Sequence, residues 1–256
     1  MAYMKPDITF YDDYYKQFTK QKVFCQKKSS YIPKIIHLTH YDKASVPQKV
    51  WDNINKYASD YIIQYNSDED CIKFLKNHYN NEIVSIFKNL STGAHKADLF
   101  RYCVLYKTGG IYIDIKTVPV QNFNNIFDHT KSNTLYTVLS DTHIYQGIIA
   151  SYPGNEIFCD LINDFYYLDK DFFCQKMDVS YNKYHIFTLR FYMHLQNRVQ
   201  SKLSGGHQSY SGQHIYLFEE KNGQLNNEEK DRYGYWNVFD HKNKRVFKSR
   251  YTDYPW

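Results

Sequence analysis

Apolar positions recur along the chain at two spacings, and the points where one gives way to the other mark out the elements. Over residues 94–106, Ala94, Ala97, Phe100, Val104 and Leu105 recur at helical spacing, and Lys107, Thr108 and the pair Gly109-Gly110 supply a basic last turn and a stop. A period of two follows: Ile111, Ile113 and Ile115 alternate with Tyr112, Asp114 and Lys116. This predicts a strand whose isoleucines face a core while tyrosine, carboxylate and ammonium share the other side. Upstream, residues 31–38 read as a buried strand introduced by Pro33, residues 46–57 as a short helix, and residues 61–65 as a second strand. Ser67 and Asp70 have capping-box spacing ahead of Ile72, Leu75 and Tyr79, so Asp68, Glu69 and Asp70 are read as helix-capping residues.

The flanks extend the alternation. Residues 1–30 carry Ile8, Tyr11, Tyr15 and Phe18 at spacings of three and four, which predicts an N-terminal amphipathic helical extension. Beyond the centre, strands are expected at 134–139 and 148–152, a polar loop at 141–147, and helices at 156–168 and 184–199. A flexible loop is expected at 204–209, then late strands at 215–218 and 236–239 joined by a polar hairpin at 219–234. Strands alternating with helices predict an α/β fold with a mixed, mostly parallel sheet and helices on both faces. The chain shows no internal repeat, which argues against a solenoid.

Composition narrows the class. A length of 256 residues suits one sizeable domain with insertions, and 43% hydrophobic and 23% charged residues are ordinary for a globular chain. The 27 tyrosines and 17 phenylalanines are not, so many tyrosines must be half exposed, either through compositional bias or as a stacking surface. The net charge of +5 is spread without a basic run, which argues against nucleic acid as the partner. Five cysteines are dispersed with no Cys-x-x-Cys, and Cys103 falls inside the expected helix, pointing to a reduced, cytoplasmic setting with no zinc cluster. The first thirty residues carry no apolar run like a signal peptide, and no stretch of apolar residues is long enough for a membrane span.

Candidate chemistry gathers in the central block. Asp98 and Arg101 lie three residues apart on one helical face, a spacing that makes either an intrahelical ion pair or a fixed carboxylate and guanidinium for hydroxyl groups. The run Asp98-Leu-Phe-Arg101-Tyr102, followed by Gly109-Gly110-Ile-Tyr112-Ile-Asp114-Ile-Lys116, resembles the sugar-binding region of the DXD-type retaining glycosyltransferases. That family includes the yeast-type initiating α-1,6-mannosyltransferases, the α-1,4-galactosyltransferases and, more distantly, the clostridial glucosylating toxins. The pattern departs at one position, where Lys116 stands in place of the second aspartate. Residues 32–37 are similar to the family's opening Ile-Pro-Lys-Ile-Ile-His strand, and the likeness runs over about residues 31–165.

The resemblance implies a glycosyltransferase-A-like domain over residues 31–256, with a nucleotide-sugar-binding part at about 31–165 and an acceptor or lid part at about 166–256. It implies a hexosyltransferase working between a UDP- or GDP-linked sugar and a hydroxyl of a glycan or other acceptor. The implied catalytic residues are Asp98, Arg101, Asp114 and Lys116, and the donor-binding residues are His37, Leu38, Thr39, His40, Gly110, Tyr112, Gln146, Gly147, Arg250 and Trp256. Arg250, Tyr251 and Trp256 form a cationic and aromatic tail read as either a lid over the diphosphate or a docked terminus. A Mn2+ or Mg2+ ion would rest on Asp114, with Asp141 or Glu219 as distant helpers. Lys116 puts that site in question and is itself a candidate to face the diphosphate. A catalytically silent nucleotide-sugar-binding module is the competing reading.

Overall fold

The computed structural model describes residues 29–141, 143–167, 179–221 and 235–250. The expected helix within residues 1–30, most of the 219–234 hairpin and the tail from Tyr251 to Trp256 lie outside the described residues. The chain builds one mixed sheet that begins with β1 (Ile35–Thr39), α1 (Gln48–Tyr57) and β2 (Ile62–Asn66). β1 and β2 are parallel, as a helical crossover requires. Three helices follow, α2 (Asp68–His78), α3 (Asn81–Asn89) and α4 (Gly93–Thr108), before β3 (Gly110–Ile113) returns parallel to β1 on its other side.

Local chemistry explains the boundaries. The Ser67 hydroxyl accepts from the Asp70 amide at 3.2 Å while Asp70 accepts from the Ser67 amide at 3.0 Å, the reciprocal cap expected from the sequence. Asn80 and Thr92 cap α3 and α4 in the same way, accepting from the amides of Ile83 and His95. Gly109 ends α4 with φ of 64°, and a Cβ there would sit 2.7 Å from Pro153. Gly110 has φ of 103°, and a Cβ would lie 2.7 Å from the Ile35 carbonyl oxygen, so only glycine lets β3 come this close to β1.

After β4 (Val118–Pro119) and the single turn α5 (Phe123–Ile126) come β5 (Thr134–Ser140), β6 (His143–Ser151), α6 (Glu156–Tyr167) and α7 (Val179–Val199). The strands β7 (Gly206–Tyr210), β8 (Gln213–Lys221), β9 (Tyr235–Phe239) and β10 (Arg245–Arg250) complete the sheet, in the order β2-β1-β3-β6-β5-β8-β9-β10-β4 with β7 on β8. Two apolar clusters cover its faces. One joins α2, α3, α4, α6 and α7 to residues such as Tyr112, Ile144 and Leu217, and the other joins α1 and α5 to Ile111, Ile113 and Phe247. Among the described residues no helix is long and apolar enough to cross a membrane.

The α/β class, the mixed sheet and helices on both faces are as expected. The balance within the sheet is not: only β1 with β2, β1 with β3 and β5 with β8 are parallel. The other described pairings, from β3 with β6 to β10 with β4, are antiparallel; for β5 with β6, β7 with β8 and β9 with β10 the short connecting turns require it. Two expected loops are strands. Residues 141–147 form a turn and the first half of β6, whose polar side chains face a cavity and so hide the usual apolar alternation. Residues 206–209 pair with β8 across the tight turn at Ser211-Gly212, both with positive φ.

Candidate active site

A cavity of about 510 Å³ opens where the carboxyl ends of β1 and β3 meet α4, β6 and α7. Clefts at strand ends are where open α/β sheets hold ligands. The α4 face with Asp98 and Arg101, then Tyr112, Asp114 and Lys116, forms one wall; His143, Tyr145, Gln146 and Gly147 of β6, with His185 and Thr188 of α7, form the other. Thr39, His40, Tyr41 and Ser45 make the rim, and Tyr41 is 69% exposed.

Arg101 organises the first wall. Its Nη2 lies 3.4 Å from Asp98 Oδ1 and 3.3 Å from Asp114 Oδ1, Nη1 donates to the Gln146 carbonyl oxygen at 2.7 Å, and Nε donates to the Ala97 carbonyl oxygen at 3.1 Å. The guanidinium also covers the Tyr112 ring at 4.5 Å. Burial alone would favour its neutral form, but Tyr112, Asp114 and Asp98 around it hold its pKa above the ordinary value. The Tyr112 hydroxyl donates to Asp114 Oδ1 at 3.0 Å, and burial keeps that phenol protonated by raising its pKa well above the usual range.

Asp114 stands just past the end of β3. Its amide donates to the Gly147 carbonyl oxygen at 2.9 Å, and its carbonyl accepts from the Thr117 amide at 2.8 Å. The strand ends at Ile113, so Lys116 reaches the cavity from a turn rather than along the strand expected from the alternation. The isoleucines do take the opposite side, in the cluster with α1 and α5.

Across the cavity, Gln146 is only 2% exposed. Its Oε1 accepts from the Tyr102 hydroxyl at 2.5 Å, and its Nε2 finds no hydrogen-bond partner within the protein. A buried amide nitrogen without a partner is uncommon, since such groups are otherwise satisfied, and Gln146 also lines the cavity. Gly147 serves the packing: a Cβ there would come 2.1 Å from the Tyr145 hydroxyl, which is held 2.9 Å from Thr117 Oγ1.

The cavity brings together Asp98, Arg101, Asp114, Lys116, Thr39, His40, Tyr112, Gln146 and Gly147 of the residues read from sequence. Three others lie elsewhere. Leu38 is buried in the core, and His37 is fully buried with Nε2 3.0 Å from the Gly109 carbonyl oxygen and 3.2 Å from Thr108 Oγ1. They point to opposite faces of β1, both covered by packing, so neither lines the cavity. Gly110 sits beneath it, at the contact of β3 with β1. Arg250 ends β10, with its side chain outside the described residues, as is Trp256. Tyr112 contributes as a support under Arg101 and Asp114, its ring fully buried.

His143, His185, Thr188, Tyr145 and Tyr102 were not singled out from sequence. Tyr102 stands in the Asp-x-x-Arg-Tyr run without a role given to it, and the others sit in no local motif: His143 and His185 are 42 residue positions apart and meet only through the fold. A divalent ion takes about six oxygen donors. Asp114 Oδ1 is already shared by Arg101 and Tyr112, and Asp98 is paired with Arg101. Among the described residues no three His, Cys, Asp or Glu side chains are grouped to hold a metal. Asp141 and Glu219 do not line the cavity, and Glu219 pairs with Lys221 at 3.4 Å. A Mn2+ or Mg2+ ion would rest here on Asp114 with water and diphosphate oxygens, as such ions are commonly held by one or two carboxylates.

Comparisons with known proteins bear on this region. Residues 42–133 match the family model described as the glycosyltransferase sugar-binding region containing the DXD motif. An uncharacterized glycosyltransferase of Acanthamoeba polyphaga mimivirus is 28% identical over 156 residues, 58% of this chain and 59% of that one. The initiation-specific alpha-1,6-mannosyltransferase of Saccharomyces cerevisiae is 36% identical over 97 residues, 33% of this chain and 20% of that one. The chain thus spans less than two thirds of the length of these relatives. Among solved structures, the PaToxG glycosyltransferase aligns with a TM-score of 0.46 at 16% identity, over 75% of this chain and 76% of that one. Over residues 42–133 the chain matches the family that its Asp-x-x-Arg-Tyr helix and Gly-Gly-x-Tyr-x-Asp segment resemble, the DXD-containing glycosyltransferases.

Proposed function

We propose that the protein is a retaining hexosyltransferase that moves a sugar from a UDP- or GDP-linked donor to a hydroxyl of a glycan or other acceptor. The observation that carries this reading is the buried Arg101 held between Asp98 and Asp114 on a cavity that Gln146, bonded to Arg101 through its carbonyl oxygen, also lines. Carboxylates accept from sugar hydroxyls, a guanidinium and an amide donate to them, and all four groups are fixed before ligand arrives. Retention rests on the family resemblance alone.

In transfer, the bond from the anomeric carbon to the diphosphate oxygen breaks with its electron pair leaving on that oxygen. Groups that meet the departing negative charge therefore favour the transition state over the ground state. Lys116, beside Asp114 on the cavity wall, offers an ammonium as a compact charge for this purpose. Asp98, Arg101 and Gln146 hold the sugar, Asp114 joins sugar or ribose hydroxyls, and Thr39 and His40 border the nucleoside. Any Mn2+ or Mg2+ would depend on Asp114. Residues 31–165 supply the donor side and the β6 part of the facing wall, and residues 166–256 add His185 and Thr188 to it. Cys71, Cys103 and Cys159 are buried and in no disulfide among the described residues, which accords with a reduced, cytoplasmic setting.

The test is nucleotide release from a panel of UDP- and GDP-hexoses after exhaustive chelation, with and without added Mn2+, for the native chain and Lys116→Asp. Expected is metal-independent release by the native chain that becomes Mn2+-dependent in the variant. Loss of native activity on chelation, restored by Mn2+, would remove Lys116 from the role. Thermal stabilisation by a donor without release, even with acceptors present, would favour the silent module, the reading that Lys116 in place of a carboxylate also allows.

A further inference from the structure

The donor reading uses Gln146 of the second wall and leaves three other groups of that wall, His143, His185 and Thr188, without a task. His143 opens β6, His185 lies on α7, and their rings meet with centroids 5.6 Å apart; Thr188, one helical turn on from His185, completes the patch. The helix that presents His185 and Thr188 is firmly seated. Phe187 stacks on Phe165 of α6 at 3.8 Å, and two turns of the same helix send Arg190 and His194 onto the buried Asp164 carboxylate at 2.7 and 2.8 Å. Packing of this kind fixes a side chain's direction as well as its place.

We propose that His143, His185 and Thr188 form the subsite that binds the hydroxyl groups of the acceptor. The inference rests on the donor reading above, which assigns the facing wall to the nucleotide-sugar. Three observations select the occupant. The wall lines the same cavity as Asp98 and Arg101, so a hydroxyl bound there shares one enclosed space with the donor's sugar. Its chemistry is polar but without fixed charge, in contrast to the opposite wall with Arg101 and Lys116, which suits a neutral polyol and not a diphosphate. Its groups both give and take hydrogen bonds: a neutral imidazole has one N–H and one ring acceptor, and a threonine hydroxyl does both, matching the dual character of a sugar hydroxyl.

The imidazoles are kept in that neutral form by their setting. Burial holds His143 below its ordinary pKa, against the pull of Asp141, and burial with the neighbouring His143 and His95 brings His185 to about 4. The Thr188 hydroxyl donates to the His185 carbonyl oxygen at 2.7 Å, which leaves its oxygen lone pairs as acceptors.

The experiment separates transfer to an acceptor from hydrolysis to water. The full chain is given whichever UDP- or GDP-hexose it hydrolyses, with methyl α-D-mannopyranoside, methyl α-D-glucopyranoside and methyl α-D-galactopyranoside as acceptor probes. For His143→Ala and His185→Ala the acceptor KM should rise about tenfold each, the worth of one or two hydrogen bonds, while hydrolysis without acceptor stays within about twofold. His185→Asn, which keeps a donor and an acceptor, should recover part of the loss and guards against a misfolded alanine variant. Unchanged acceptor KM in both alanine variants, or equal losses in hydrolysis and transfer by a variant with native melting temperature, overturns the subsite. Transfer to none of the three probes by a native chain that hydrolyses donor also counts against it. Absence of any hydrolysis by the native chain strikes instead at the donor reading.

Discussion

The two walls of the cavity were built by different means. The first comes from one continuous stretch, α4 through Lys116, in which helical spacing sets Asp98 beside Arg101 and a nearby strand carries Tyr112 and Asp114 to them once it has docked. The second is assembled from the start of β6 and the middle of α7, which touch only after the sheet and the helical layer have packed. A site made of one local segment leaves a motif; a site made of distant segments leaves none. The charged wall is therefore the one that resembles a family, and the neutral wall is the one that had to be found in the structure.

The sharpest way to break this comparison is to remove the residue that binds the first wall together. Arg101→Ala leaves Asp98 buried and Asp114 half-buried without their counter-charge, so denaturant unfolding should show a loss of about 3–5 kcal/mol. A loss below about 1 kcal/mol would mean that the pair is no stronger than a surface ion pair. No substitution at His143 or His185 should approach the larger figure, since neither carries a buried charge.

The next effect lies under the first wall. His37 is fully buried, and burial lowers its pKa to about 4 from 6.5, outweighing its hydrogen bond to Gly109. The unfolded chain therefore takes up a proton as pH falls through 6.5, while the folded chain takes it up only near 4. Stability should fall by about 3 kcal/mol across that window, and be regained on return to neutral pH. Denaturant unfolding at pH 7 and pH 4.5 should show a smaller drop for His37→Gln than for the native chain.

On the second wall, Gly147→Ala forces a methyl against the Tyr145 ring, whose neighbours Thr117 and the core leave it little room. Overpacking of this type costs about 1–3 kcal/mol, read as a lowered melting temperature. The smallest effect is at the joint between the walls. Tyr102→Phe removes the bond that fixes the Gln146 amide, so stability should change by about 1 kcal/mol while donor KM rises more than acceptor KM. Equal changes in both would place Gln146 outside the donor's contacts.

Much of the fold was legible because its elements carry local signals. The Ser67 and Asp70 cap, the helix that ends at Gly109, the isoleucine alternation of β3 and the apolar run of β5 each stand where the pattern put them. The failures have one cause. In β6 and β7 the side chains that face the cavity or solvent are polar or small, so His143, Gln146, His207 and Ser209 read as loop, and the pairing that makes them strands comes from β3, β5 and β8. The mostly parallel expectation failed for the same reason, since counting helices between strands cannot see strands mistaken for loops. At the site, the family resemblance named His37 and Leu38 with their neighbours, whereas both faces of β1 are covered at those two residues and only Thr39 and His40 emerge at the rim. Arg101 was legible as a partner of Asp98, but its second partner, Asp114, is set by the turn after β3.

The central claim is that the first wall holds the donor's sugar, and the most direct measurement is nucleotide release at saturating donor by Asp98→Asn. The change keeps the size of the side chain and its place on α4 while removing the charge that faces Arg101 and the cavity. Loss of about a hundredfold or more in turnover, with a melting temperature close to native, is the predicted result. Turnover within a few-fold of native would contradict it and leave Asp98 and Arg101 as an ordinary ion pair within the helix.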